Sequence, residues 1–148
     1  MDRLDTDRNE ILAVHQRWMD ASNALDIEKM RTCFVAGTHL DMWNRNGHPY
    51  FGVDELARLW SHLRDTVTLE NTGELTPPRI VIVGDVAWVT YERIRMDIRP
   101  ANGDPIRYTV FRGTEIYRRD DGQGKPRWTI WHTHYSNCPP EGERRPGF

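Results

Sequence analysis

The chain has 148 residues, the size of one ordinary domain, with 38% hydrophobic and 28% charged residues, a balance that suits a globular fold. A formal net charge of −2 gives no basis for nucleic acid or an anionic membrane as partner. No apolar run approaches membrane-spanning length, and Met1-Asp2-Arg3-Leu4-Asp5 lacks the apolar core of a secretion signal. Cys33 and Cys138 are the only two cysteines, so a cytoplasmic chain without a disulfide scaffold is expected. Six Trp beside five Tyr and four Phe suit a packed core and equally a pocket for a flat, aromatic ligand.

Residues 6–24 carry apolar side chains at helical spacing (Ile11, Val14, His15, Trp18, Met19, Ser22), with Asp5, Thr6 or Asp7 able to cap the start. Asp26 opens a second short helix over 27–33, which gives a helical hairpin. Thr38 to Asn44 alternates as a strand, Asn46-Gly47 supplies a turn, and 49–51 returns. A third helix follows Gly52-Val53-Asp54 over 55–64, with Leu56, Leu59, Trp60 and Leu63 as its apolar stripe. From there on the pattern is extended: a polar stretch over 67–74, then strands at 79–83, 86–98, 106–118 and 128–136 separated by Gly- and Asp-rich turns. Three helices followed by a meander predict an α+β fold, a curved antiparallel sheet wrapped around the helices as a cone-shaped barrel with an internal pocket. Residues 1–138 form the expected domain, and 139–148 an expected C-terminal tail.

In the last strand Trp128, Ile130, His132, His134 and Ser136 share one face by alternation, and Thr129, Trp131, Thr133 and Tyr135 the other. The first face grades from apolar to polar, as a pocket wall would. The second suits a dimer interface, since aromatic and β-branched side chains pack well between sheets.

The layout resembles the nuclear transport factor 2-like superfamily, and within it the SnoaL-like group. The resemblance rests on the first helix running into Asn23-Ala24-Leu25-Asp26, on Gly52-Val53-Asp54-Glu55-Leu56, on Gly84-Asp85-Val86-Ala87-Trp88-Val89, and on Arg112-Gly113-Thr114-Glu115 followed by Trp128-x-Ile130-x-His132-x-His134-x-Ser136. It implies the fold given above. The superfamily holds ketosteroid isomerase, dehydratases, polyketide cyclases, epoxide hydrolases, a cofactor-independent diarylpropane lyase, and binding modules with no catalysis, so the fold leaves the reaction open. The paired Asp and Tyr motif of ketosteroid isomerase has no clear counterpart here.

Four residues are the candidate catalytic set. His132 offers an imidazole and is the leading acid or base; Asp41, flanked by apolar residues, is the alternative base. Arg112 would hold an oxyanion, in competition with Arg93, Arg95 and Arg107, and Tyr91 would donate to a substrate oxygen. Trp43, Tyr50, Trp60, Trp88, Tyr108 and His134 are the candidate substrate-binding residues. Each also has a structural reading as core, surface or ion-pair residue. His39, Asp41 and His48 could add to His132 and His134 around a metal, but no spacing identifies a third ligand, and neither metal nor cofactor is expected. The leading expectation is a cofactor-independent lyase that removes water or a small carbonyl such as formaldehyde from a hydroxylated aromatic substrate. An isomerase or hydratase using the same pocket, and a non-catalytic ligand-binding or dimerisation module, are the alternatives. The expected partners are a small aromatic substrate and a second copy of the chain, joined through the sheet face.

Overall fold

A computed structural model of the chain describes residues 2–139, so the expected tail lies, apart from Pro139, outside the described residues. Helix α1 spans Arg3–Ala24, α2 Ile27–Arg31 and α3 Val53–Thr66; the strands are β1 Asp41–Trp43, β2 Pro49–Phe51, β3 Val67–Glu74, β4 Arg79–Val83, β5 Val86–Pro100, β6 Arg107–Arg119 and β7 Trp128–Asn137. Helix α1 starts earlier than its periodicity predicts. Asp2 is the cap, accepting a bond from the Asp5 backbone N–H, while Asp7 is drawn into the core by Arg119 and by the Trp128 indole N–H.

The strands form one curved, unclosed seven-stranded sheet in the order β2-β1-β7-β6-β5-β3, with β4 beside β3 along β5. One pairing departs from the antiparallel expectation: β1 lies parallel to β7, matching Asp41 to His132, Met42 to Thr133 and Trp43 to His134. The two strands are joined by most of the chain, so no hairpin forces them antiparallel. The helices pack on the concave side, where Ile11, Trp18, Met30, Leu56 and Trp60 meet Ala87, Val89, Ile94, Tyr117 and Ile130.

Two β-bulges decide which side chains face inward. On β5 the extra residue falls between Tyr91 and Ile94, so Ala87, Val89 and Tyr91 point inward before it, and Ile94 and Met96 after it. On β7, Tyr117 pairs with Ile130 while the adjacent Ile116 pairs with His132, which leaves Trp131 as the extra residue. Trp128 and Ile130 point inward before that bulge, Thr133 and Tyr135 after it. His132, His134 and Ser136 therefore lie on the outer face, opposite to Trp128 and Ile130. This corrects the uninterrupted alternation read from the sequence. It also takes Thr133 and Tyr135 away from the outer face, where dimerisation was expected to use them.

Candidate functional site

The concave side of the sheet and the helices enclose a cavity of about 370 Å³. Helix α3 contributes its whole apolar stripe, Leu56, Leu59, Trp60 and Leu63, and α1 contributes Trp18, Met19 and Ser22. Tyr91, Met96, Phe111 and Tyr135 form the sheet wall. The Trp18 and Trp60 rings stack with centroids 5.3 Å apart and planes 9° from parallel. Stacked on each other, they offer an aromatic wall of the kind against which flat ligands pack by burial and ring contact. At the exposed end the wall turns polar, with Asn44, Arg45, Asn46, Arg107, Thr109 and Asn137.

Behind the buried end lies a polar network. His15 of α1 is 2% exposed and sits between two carboxylates: its Nδ1 donates to Glu115 Oε1 at 2.8 Å and its Nε2 to Glu74 Oε1. Burial alone would lower the imidazole pKa, but Glu115 and Glu74 outweigh it and raise the value to about 10. His15 is an imidazolium at neutral pH. Glu115 Oε1 also accepts from the Tyr117 hydroxyl at 2.7 Å, while its Oε2 has no donor among the described residues. The Trp18 indole N–H donates to the Tyr135 hydroxyl at 2.8 Å.

Tyr91 joins this network to the cavity. It lines the wall, its ring lies 5.3 Å from that of His15, and its buried hydroxyl, within reach of Tyr135 and Glu115, makes no well-formed hydrogen bond among the described residues. Burial, with Tyr135 and Glu115 close by, pushes its pKa well above the ordinary tyrosine value, so it holds its proton and has a donor to offer. Glu115 Oε2 and Thr133 Oγ1, the latter beside the Tyr135 hydroxyl, belong to the same inward layer, since Glu115 pairs with Thr133 across β6 and β7. An unmatched buried hydroxyl costs about 1–3 kcal/mol, so each such group calls for a structural or chemical reason. Gly113 makes the arrangement possible: a Cβ there would stand 2.5 Å from the Tyr135 ring and 2.8 Å from the Tyr91 hydroxyl.

Of the candidate site residues, the fold brings Tyr91 and Trp60 to this cavity, together with Arg107 from the competing arginines. His132, Asp41, Arg112 and His134 are on the outer face. There Asp41 Oδ2 lies 3.7 Å from His132 Nδ1, and Arg112 Nε donates to Ser136 Oγ at 3.2 Å. Arg112, His134 and Ser136 line a second groove with Glu92, Arg79 and Tyr91, the last shared with the cavity. Trp43 and Trp88 are exposed on that outer side. Tyr108 is exposed beneath the Arg95 guanidinium, and Tyr50 packs beside the core with its hydroxyl accepting from Asn46. Among the described residues no three His, Cys, Asp or Glu side chains converge as a metal site. The sequence reading missed Glu74, Glu115, Tyr135 and Arg45. It counted His15 as part of an apolar stripe. A histidine on the buried face of α1, and a glutamate in the alternating run Gly113-Thr114-Glu115-Ile116-Tyr117, were the available signals.

Comparison with known proteins agrees with this architecture. The model of the SnoaL-like domain family matches residues 11–140. No curated protein sequence matches the chain. Among solved structures, a nuclear transport factor 2-like superfamily protein from Salmonella enterica serovar Typhimurium LT2 superposes with a TM-score of 0.79 at 18% identity, covering 94% of this chain and 96% of that one. A candidate dehydratase of the same superfamily from Streptomyces avermitilis gives 0.74 at 20% identity, covering 91% and 99%. A ketosteroid isomerase-like protein from Erwinia carotovora atroseptica gives 0.70 at 16% identity, covering 89% and 96%.

Proposed function

The chain belongs to the SnoaL-like domain family, and from that premise we propose that it is a cofactor-independent acid–base enzyme, a lyase acting on a small hydroxylated aromatic substrate in the concave cavity. The observation that carries the reading is the buried, unpartnered Tyr91 hydroxyl at the cavity wall, backed by an imidazolium held between two carboxylates. The structural neighbours described as a candidate dehydratase and as ketosteroid isomerase-like supply reaction types of this kind.

In this reading the substrate ring lies against Trp18 and Trp60, which places a substrate hydroxyl at Tyr91. As the carbon–oxygen bond breaks, the Tyr91 proton goes to the departing hydroxide, which leaves as water. The proton shed by the neighbouring carbon returns to the Tyr91 oxygen, and the carbon–carbon double bond forms. The imidazolium of His15 limits the repulsion that Glu115 exerts on the negative charge that develops on Tyr91 in between. His15, Glu115 and Glu74 are positioning residues behind the wall. Loss of a small carbonyl such as formaldehyde would use the same oxygen contact, and a hydratase would run the first sequence backwards. Of the expected catalytic residues the mechanism keeps Tyr91. His132, Asp41 and Arg112 lie across the sheet and take no part in it. The expected homodimer is proposed through the outer face that carries Trp43 and Trp88, with sedimentation as its test.

A panel of aryl-substituted alcohols, followed by mass spectrometry for loss of water or formaldehyde, tests the proposal. Tyr91→Phe should lower turnover by about a hundredfold or more while ligand binding persists, the loss typical of a transition-state donor. Unchanged turnover in that variant would remove Tyr91 from the chemistry.

One observation favours a second reading, a ligand-binding module: no carboxylate or imidazole stands among the described residues of the cavity wall. Under that reading no alcohol is converted, and Tyr91→Phe changes only affinity.

A further inference from the structure

We infer that the ligand of this cavity carries a carboxylate, received at the exposed end by Arg45 with Arg107 beside it; this rests on the cavity being the binding site. Arg45 follows β1 and folds back over the cavity wall. Its Nη1 donates to Thr109 Oγ1 at 2.8 Å, its Nη2 lies 3.2 Å from Met96 Sδ, and its guanidinium stands 4.6 Å over the Phe111 ring. All three partners are neutral. No carboxylate among the described residues is within ion-pair distance of Arg45 or Arg107, whereas Arg31, Arg95, Arg99 and Arg119 are each paired with one. Arg107 lies two residues before Thr109 on the inward side of β6 and lines the same end of the cavity.

Two positive charges thus share one rim without a counter-ion. Burial, and then the charge on Arg107, depress the Arg45 pKa from its usual value, the signature of a cation that lacks compensation. A guanidinium offers five N–H donors in a fork that matches a carboxylate, and Thr109 and Met96 engage only part of it. An arriving carboxylate would take the unused donors and offset both charges. The cavity then has an amphipathic order, with cations at the open end, an aromatic wall in the middle, and a hydrogen-bond donor at the buried end. A hydroxylated aromatic acid fits that order, and a neutral aromatic alcohol leaves the rim unmatched.

The test is calorimetric titration with 2-naphthoate and with its neutral isostere 2-naphthamide at low salt. In the native protein the acid should bind at least about tenfold more tightly, equivalent to about 1.4 kcal/mol. Arg45→Met should cut that advantage to within about twofold and leave amide affinity unchanged, and Arg107→Met, at an exposed position, should cut it about threefold. Arg112→Met, in the outer groove, should leave it intact. Equal affinity of acid and amide in the native protein, or an advantage that survives both rim variants, overturns the carboxylate subsite alone. Failure of both probes to bind removes the cavity as an aromatic site, and the proposed function with it.

Discussion

On the outer face of the sheet, His132 and Asp41 stand 3.7 Å apart with side chains 27% and 44% exposed. On the inner side, His15 is clamped between Glu74 and Glu115, with the His15 and Glu115 side chains 3% and 0% exposed. Both are imidazole–carboxylate groupings, and the protein makes very different things of them. The outer pair is screened by water and is worth little, since exposed ion pairs contribute about 0–1 kcal/mol. The inner group is desolvated, raises the His15 pKa to about 10 and stands behind Tyr91, a cavity-lining residue whose buried hydroxyl makes no well-formed hydrogen bond among the described residues. What separates the two is position relative to the sheet, set on β7 by the single extra residue Trp131.

Removing a partner on each side separates the two groupings most forcefully. Glu115→Leu strands a buried imidazolium with one carboxylate and takes the acceptor from Tyr117; it should destabilise the fold by about 3–5 kcal/mol in urea unfolding. Asp41→Asn should cost less than about 1 kcal/mol in the same assay. Equal effects would erase the distinction.

The pH dependence is the next largest effect. His15 binds its proton more tightly in the folded chain than its ordinary value of 6.5 allows in the unfolded one. The resulting stabilisation is complete below pH 6.5 and is lost as pH rises through about 10. The melting temperature should therefore fall over that alkaline window, and Glu74→Gln should flatten the slope. A melting temperature that rises between those limits would contradict the buried imidazolium.

Gly113→Ala sets a methyl group against Tyr135 and Tyr91 and should cost about 1–3 kcal/mol, with near-ultraviolet circular dichroism reporting displaced aromatic rings. Tyr91→Phe should have the smallest effect and the opposite sign. It deletes a buried hydroxyl that has no partner, so stability should hold or rise by up to about 1 kcal/mol even as turnover falls. A clear loss of stability would show that the hydroxyl is already satisfied.

Much of the frame was legible because its signals are local. The stripe Leu56, Leu59, Trp60 and Leu63 lines the cavity as its helical spacing implied, and the long strands fall close to their expected bounds. The site was harder to read, for two physical reasons. Strand parity survives only until a bulge, and a bulge belongs to the pairing of two strands, so nothing local at Trp131 announces that His132 turns outward. The inner network also joins residues distant in sequence, His15 with Glu115 and Trp18 with Tyr135, and takes its meaning from burial. Arg45 reads as a turn residue beside Asn46-Gly47 until the fold lays it over Phe111. Tyr91 was legible as a candidate by residue type, and its unpartnered state only from the packing around it.

The central claim is that ligand chemistry belongs to the inner side of the sheet. A crystal structure of the protein with 2-naphthoate tests it most directly. The account places the naphthyl ring against Trp18 and Trp60, the carboxylate at Arg45 and the far edge of the ring toward Tyr91. A ring seated in the outer groove between Arg112 and His134, with the inner cavity empty, would contradict it.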